Sequence, residues 1–306
     1  MARILVGTCS WTDPTLLASG FYPREANTAE KRLIYYARHF PIVEVDSTYY
    51  GLPSERNAGL WVNRTPADFT FNIKALSLFT QHPTPPSALP KQVREVLGPR
   101  AGKGNLYYRD LPGELLDLVW SMFESALLPL DSAGKLGAIL FQFPHWFFPG
   151  RDNLEYILTC QERLPQHRIV VEFRNGTWVD ERHRDQTLRF LKENNLPYVS
   201  VDTPQGFRSS VPSFAEATAD LAVVRLHGRN RETWEKKGIT ATERFSYLYA
   251  KEELEEWAAK VQGLAPQVKT MHVLFNNCYG DYAVRNAKDM AGLLRSLGLE
   301  VQEPVE

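Results

Sequence analysis

Short apolar runs recur along the chain at residues 4–11, 42–48, 69–75, 136–143, 169–174, 198–203, 221–228 and 272–277, and most of them alternate with polar residues in steps of two. A step of two is the period of a β-strand, whose successive side chains point to opposite faces. Glu44 and Asp46 stand against Val43 and Val45, and Asn72 and Lys74 against Phe71 and Ile73. Glu172 and Arg174 oppose Val171 and Phe173, Ser200 and Asp202 oppose Val199 and Val201, and Arg225 and His227 oppose Val224 and Leu226. The segments between the runs change period. Residues 28–40, 54–64, 111–130, 152–164, 180–194, 251–264 and 282–297 carry apolar residues at helical spacing. Thr28 and Ser54 are placed to cap two of these helices, and Asp152 and Asp180 two more. A strand followed by an amphipathic helix, repeated around the chain, predicts a single α/β (β/α)8 barrel of the TIM type over residues 1–306. Helices then cover the apolar strand faces, so the polar faces are expected to look inward.

Two connections exceed what such a barrel needs, residues 76–112 after the third strand and 228–250 after the seventh. Both rise from the C-terminal rim, where barrels of this kind build their sites, and together they are expected to cover the mouth. The first is rich in cations (Lys91, Arg94, Arg100, Lys103, Arg109), and Lys103 and Arg231 are expected to face a ligand from opposite sides. The connection 204–220 is poor in helical pattern.

The inward positions gather Glu44, Asp46, Lys74, Gln142, Glu172, Arg174, Asp202, Arg225, His227 and Asn276 near the ends of their strands. Buried charges must pair or they are very costly. One reading of the set is therefore a self-satisfied ion-pair cage that closes the barrel top. The other is a ligand site, because an apolar replacement of such a cage would often be no less stable. On the ligand reading, Glu172, His227, Glu44 and Asp202 are the acid/base candidates. Arg174 and Arg225 offer planar forks for a carboxylate or phosphate, with Lys74, Asp46, Gln142 and Asn276 beside them. Trp11, Tyr49 and Trp178 are the expected aromatic wall.

Glu44, Glu172, Asp202 and His227 also have metal-ligand chemistry. However, HExxH spacing is absent and three cations share their space, so no metal is assigned. No GxGxxG, P-loop or GxSxG pattern names a cofactor or a nucleophile, and the cofactor stays open. Cys9, Cys160 and Cys278 do not form a disulfide framework, and Cys9 and Cys278 read as small buried thiols at neighbouring strand ends. A net charge of -1 argues against a general nucleic-acid coat or a polybasic membrane surface. No run approaches the length of a membrane span, the first apolar run leaves little room for a leader, and a reducing cytoplasm is the expected compartment.

The stretches VEVDSTYYGLPS, FNIKA, ILFQFP, VVEFRNGTW, VVRLHGR, YLY and FNNCYGDYAVRNA occur in this order between Gly7 and Ala287. They resemble the YecE-like family, the domain of unknown function 72. The resemblance implies a TIM barrel and assigns no activity. The family often has Asn where this chain has Asp46, and an acidic residue where it has Cys278. The expected function is an enzyme using acid/base chemistry on a small polar or anionic molecule, sugar- or phosphate-like. Hydrolase, lyase and isomerase chemistry all stay open. The alternatives are a nucleic-acid-binding or processing protein and a non-catalytic ligand-binding scaffold.

Overall fold

The computed structural model describes residues 2–102 and 104–305. Lys103 lies outside them, as does the side chain of Arg100. Eight parallel strands form the barrel: β1 Arg3–Thr8, β2 Ile42–Val45, β3 Thr70–Lys74, β4 Leu136–Phe143, β5 Ile169–Phe173, β6 Val199–Asp202, β7 Leu221–Leu226 and β8 Thr270–Phe275. Their hydrogen-bonded order is β5-β4-β3-β2-β1-β8-β7-β6, and a parallel bridge between Val171 and Tyr198 closes β5 onto β6. Each strand lies where an apolar run predicts it. The runs overshoot at their C-terminal ends because the last residues turn into the rim loops.

The covering helices are α1 Ala29–Ala37, α2 Glu55–Asn63, α3 Gly113–Ser132, α4 Arg151–Arg163, α5 Arg184–Glu193, α6 Lys251–Leu264 and α7 Tyr282–Ser296. Thr28 caps α1 by accepting from the Lys31 amide, and Ser54 caps α2 by accepting from the Asn57 amide. Asp152 falls within the first turn of α4, where Gly150 is the cap. Asp180 accepts from the Arg182 and His183 amides in the turn just ahead of α5. Residues 203–220 contain no helix, so β6 has no helix of its own behind it.

Register separates the two faces. Gly7, Leu274, Arg225 and Val201 are aligned across β1, β8, β7 and β6. Arg225 meets side chains of β2 and β5, strands that are not its neighbours, so this row points into the barrel. Ala138, Leu140, Val170, Val223 and Leu274 fill the interior below the charges, and all are fully buried. The outward row carries Val43, Phe71, Val171 and Phe275 against the helices. Among the described residues no helix is long and apolar enough to cross a membrane.

The base of the long loop after β7 is fixed by a close approach. Gly228 has φ +89°, and a Cβ there would lie 2.6 Å from the Cβ of Tyr247. Only glycine fits both the left-handed backbone and the gap. The Gly228 amide also donates to the hydroxyl of buried Tyr249 at 2.8 Å. The loop's two ends are thus clamped together at the rim.

Candidate functional site

Arg225 is the hub of the inward set. Its fully buried guanidinium donates to Glu44 Oε1 at 2.5 Å and to Glu172 Oε2 at 2.5 Å, and lies 3.8 Å from Asp46 Oδ1. Glu172 is shared, because its other oxygen pairs with Arg174 Nε at 2.6 Å. Arg174 Nη2 donates to Gln142 Oε1 at 3.1 Å and lies 3.1 Å from His227 Nε2. Asn276 Nδ2 is 2.8 Å from His227 Nδ1. Lys74 Nζ sits 3.3 Å from Asp46 Oδ1 and 4.9 Å from the centre of the Tyr49 ring.

These contacts form two tiers. Glu44, Glu172, Arg225 and His227 make a lower tier with almost no exposure. Asp46, Lys74, Gln142, Arg174 and Asn276 form an upper tier that lines a cavity of about 850 Å³ at the barrel mouth. The cavity walls add Tyr49, His82, Trp146, Trp234, Phe245 and Arg208. The lower tier therefore holds the upper one in place, through Glu172 and His227 to Arg174 and through Arg225 to Asp46. Glu172, His227, Glu44 and Arg225, all expected at the ligand, lie beneath the cavity lining and do not form part of it. The ion-pair cage lies directly beneath the residues that line the cavity.

Electrostatics differ within the lower tier. Burial alone would raise the Glu172 carboxyl, but the Arg174 and Arg225 guanidiniums hold it well below the usual carboxylate range. Glu44 has one guanidinium instead of two. Burial, with the nearby Asp46 charge, pushes it up to about 7 against the pull of Arg225. Burial and the Arg174 charge hold His227 well below the ordinary imidazole range, so it is a neutral hydrogen-bonding group. With Glu44 ionised, three carboxylates (Glu44, Asp46, Glu172) balance three cations (Lys74, Arg174, Arg225). With Glu44 protonated, the set has one positive charge to spare for an anion.

A raised carboxyl value has a definite sign for stability. The folded state holds the Glu44 proton more tightly than the unfolded chain does. That contribution is fully present below the ordinary value of 4.5 and is lost as pH rises through about 7. We expect Glu44→Gln to gain stability relative to the native protein across this window, with a slope of at most about 1.4 kcal/mol per pH unit. Urea unfolding of both proteins at several pH values measures it. A stability difference that stays flat from acid to neutral pH would remove Glu44 as the titrating group.

Three residues expected at the mouth are elsewhere. Asp202 shares the outward row with Leu226 and Phe275. Its carboxylate accepts from Arg229 at 2.8 and 3.0 Å, from Tyr249 at 2.7 Å and from Ser213 at 3.2 Å. Arg229 goes on to Glu256 of α6 at 2.9 Å, so Asp202 anchors the post-β7 loop to the outer layer. Trp178 stacks on Phe173 with ring centres 4.3 Å apart and donates to the Phe147 carbonyl at 2.6 Å, in the outer core. Trp11 packs edge-on against Trp61 of α2 at 5.9 Å. Tyr49 alone of the expected wall lines the cavity.

The two long loops also differ. The post-β7 loop roofs the cavity with Trp234, Glu235, Lys237, Thr242, Arg244 and Phe245. Among the described residues of the post-β3 loop, His82 alone lines the cavity. Its helix Lys91–Leu97 instead carries an exposed Lys91–Glu95 pair, and Arg109 lies over Tyr107. Arg231 is held at the rim by the Gln205 carbonyl at 2.6 Å. His82, Trp146 and Trp234 are among the lining residues that alternation along strands could not find, because all three stand on loops. A histidine soon after the third strand was the available signal for the first.

The whole chain matches known relatives. The model of the family described as protein of unknown function DUF72 matches residues 5–305. The UPF0759 protein YunF of Bacillus subtilis (strain 168) is 32% identical over 295 residues, 95% of this chain and 94% of that protein. A DUF72 family protein from Thermotoga maritima MSB8 is 30% identical with a TM-score of 0.75, over 96% of this chain and 99% of its own. One from Enterococcus faecalis V583 is 26% identical with a TM-score of 0.73, over 98% and 99%. The match across nearly the full length, together with a barrel shared with solved members, places this chain in the DUF72 family.

Proposed function

We propose that the barrel mouth binds a small anionic, hydroxyl-bearing molecule of the sugar-phosphate kind and performs acid/base chemistry on it. The observation that carries this reading is the placement of Arg174. Glu172, Gln142 and His227 fix its guanidinium from below, and its 11% exposed side chain forms part of the cavity wall. A pre-set guanidinium loses little freedom on binding, and its Nη1 N–H groups, which those three partners do not use, suit a phosphate or carboxylate oxygen. Lys74 supports it as a second cation at the cavity, and Asp46, Gln142 and Asn276 supply partners for hydroxyls. Tyr49, Trp146 and Trp234 offer aromatic faces for the apolar side of a sugar ring.

Tryptophan fluorescence tests the reading, since Trp146 is 41% exposed at the cavity. Inorganic phosphate and a hexose phosphate should each give saturable quenching that weakens with added salt, and the neutral hexose should bind more weakly. Failure of both anions to saturate, with a neutral sugar binding as well or better, would dismiss the anionic ligand.

The same ligands should change proteolysis unevenly. Residues 228–250 roof the cavity, so a bound hexose phosphate should slow cleavage there. Residues 85–99 lie away from the lining and should be cut at an unchanged rate. Equal protection of both segments would instead indicate that the two loops close together.

A further inference from the structure

His82 is held in the wall of this cavity by a short, highly bonded turn. Residues Ser77–Thr80 form one turn of 3-10 helix, and Gln81 follows in the left-handed region at φ 59°. A non-glycine residue there is strained and persists only where its surroundings enforce it. The His82 amide donates back to the Ser77 carbonyl at 3.0 Å, and Thr84 Oγ1 donates to the His82 carbonyl at 3.1 Å. The imidazole sits edge-on to Tyr49 at 5.3 Å and to Trp146 at 5.6 Å.

The hydrogen bonds of Thr80 favour one tautomer. Thr80 Oγ1 donates to the Ser77 carbonyl at 3.2 Å, which commits its only hydrogen. With that hydrogen on the Ser77 carbonyl, the 2.9 Å contact between Thr80 Oγ1 and His82 Nδ1 is one that Nδ1 donates. Nε2 is left with a bare lone pair on a ring that lines the cavity. The charged and titratable groups around the ring are Lys74 from β3, Arg174 after β5 and His145 after β4. Burial comes first, and these three groups add to it, in holding the imidazole down to about 3. In the free protein the ring is therefore a neutral acceptor. An anion seated on Lys74 and Arg174 offsets two of the groups that oppose its protonation.

We propose that His82 is the proton-exchanging group of this site, presenting its bare Nε2 to an O–H of an anion held by Arg174 and Lys74. The proposal rests on the anionic reading above. In the transfer the ligand O–H bond breaks, its electron pair stays on oxygen as an oxyanion facing the two cations, and an Nε2–H bond forms. The reverse step returns the proton. No oxidant or further reactant enters. Glu172 and His227 keep a positioning role through Arg174.

Two measurements on the full chain decide it. Histidine-ring nitrogen NMR of the free protein, with the His82 signals identified by their loss in His82→Gln, should show a neutral Nδ1–H tautomer. An Nε2–H tautomer, or titration at ordinary imidazole pH, overturns the proposal. The second measurement compares inorganic phosphate, which carries a hydrogen to donate near neutral pH, with sulfate, which carries none. The native protein should prefer phosphate by about tenfold, the worth of one charge-assisted hydrogen bond. His82→Gln, whose amide can turn either a donor or an acceptor to the ligand, should bind both alike while melting at the native temperature. A preference that survives in His82→Gln removes His82 from the chemistry and leaves the anion site standing. Binding of neither anion by the native protein defeats the anionic reading, and with it the role of His82.

Discussion

Arg225→Met is expected to lower the unfolding free energy by about 3–5 kcal/mol, the largest effect of any single change at the mouth. Methionine fills much of the same volume, so the loss reports charge and not a cavity. Without the guanidinium, Glu44 loses its paired cation and Glu172 keeps only Arg174, and both carboxylates are wholly buried. Burial of an uncompensated carboxylate is what makes removal of one partner so costly, even where the intact pair adds little. The defect should shrink as pH falls, because protonation relieves the stranded Glu44 carboxyl. Chemical denaturation of the two proteins at neutral and mildly acid pH reads both effects. A loss under about 1 kcal/mol, or one independent of pH, would mean that water reaches this tier and that the charges are not compensated by Arg225.

Most of the architecture was legible because it depends on period. Strands buried behind helices must alternate or run apolar, and helices must show a stripe, so both appear in the order of residues. The same alternation identified Glu44, Lys74, Glu172, Arg174, Arg225 and His227 as inward, and the structure brings them together. It failed on β6. There the polar alternates, Ser200 and Asp202, face outward, and Val199 and Val201 face in. The physical reason was partly visible: the connection 204–220 has no helix, so the outer face of β6 meets polar chain instead of an apolar stripe. Ser200 accepts from the Glu216 amide and Asp202 from Ser213, both within that connection. The rule that an outer face must be apolar holds only where a helix covers it. Depth was the other thing alternation could not supply. Glu172 and Arg174 are two residues apart on one face, yet one is wholly buried and the other lines the cavity. Glu172 lies within β5, whereas Arg174 falls just past its end, where the chain leaves the barrel wall.

That difference in depth makes Arg174→Ala the decisive companion to Arg225→Met. Arg174 also pairs with Glu172, but Glu172 retains Arg225 at 2.5 Å when Arg174 is lost. His227 and Gln142 each lose one partner, and His227 keeps Asn276 at 2.8 Å. The stability loss should therefore be about 1–2 kcal/mol, well below that of Arg225→Met. Binding should respond in the opposite order. A hydrogen bond to a charged group contributes about 1.5–3 kcal/mol, so phosphate affinity should fall roughly 10- to 100-fold. Neutral-sugar binding, which does not use the Arg174 charge, should change far less. Paired thermal melts and phosphate titrations of the two variants test the layering directly. Were Arg174→Ala to melt as early as Arg225→Met while binding phosphate normally, both arginines would belong to the supporting tier. The anion would then have to be held by Lys74 and the cations of the roof.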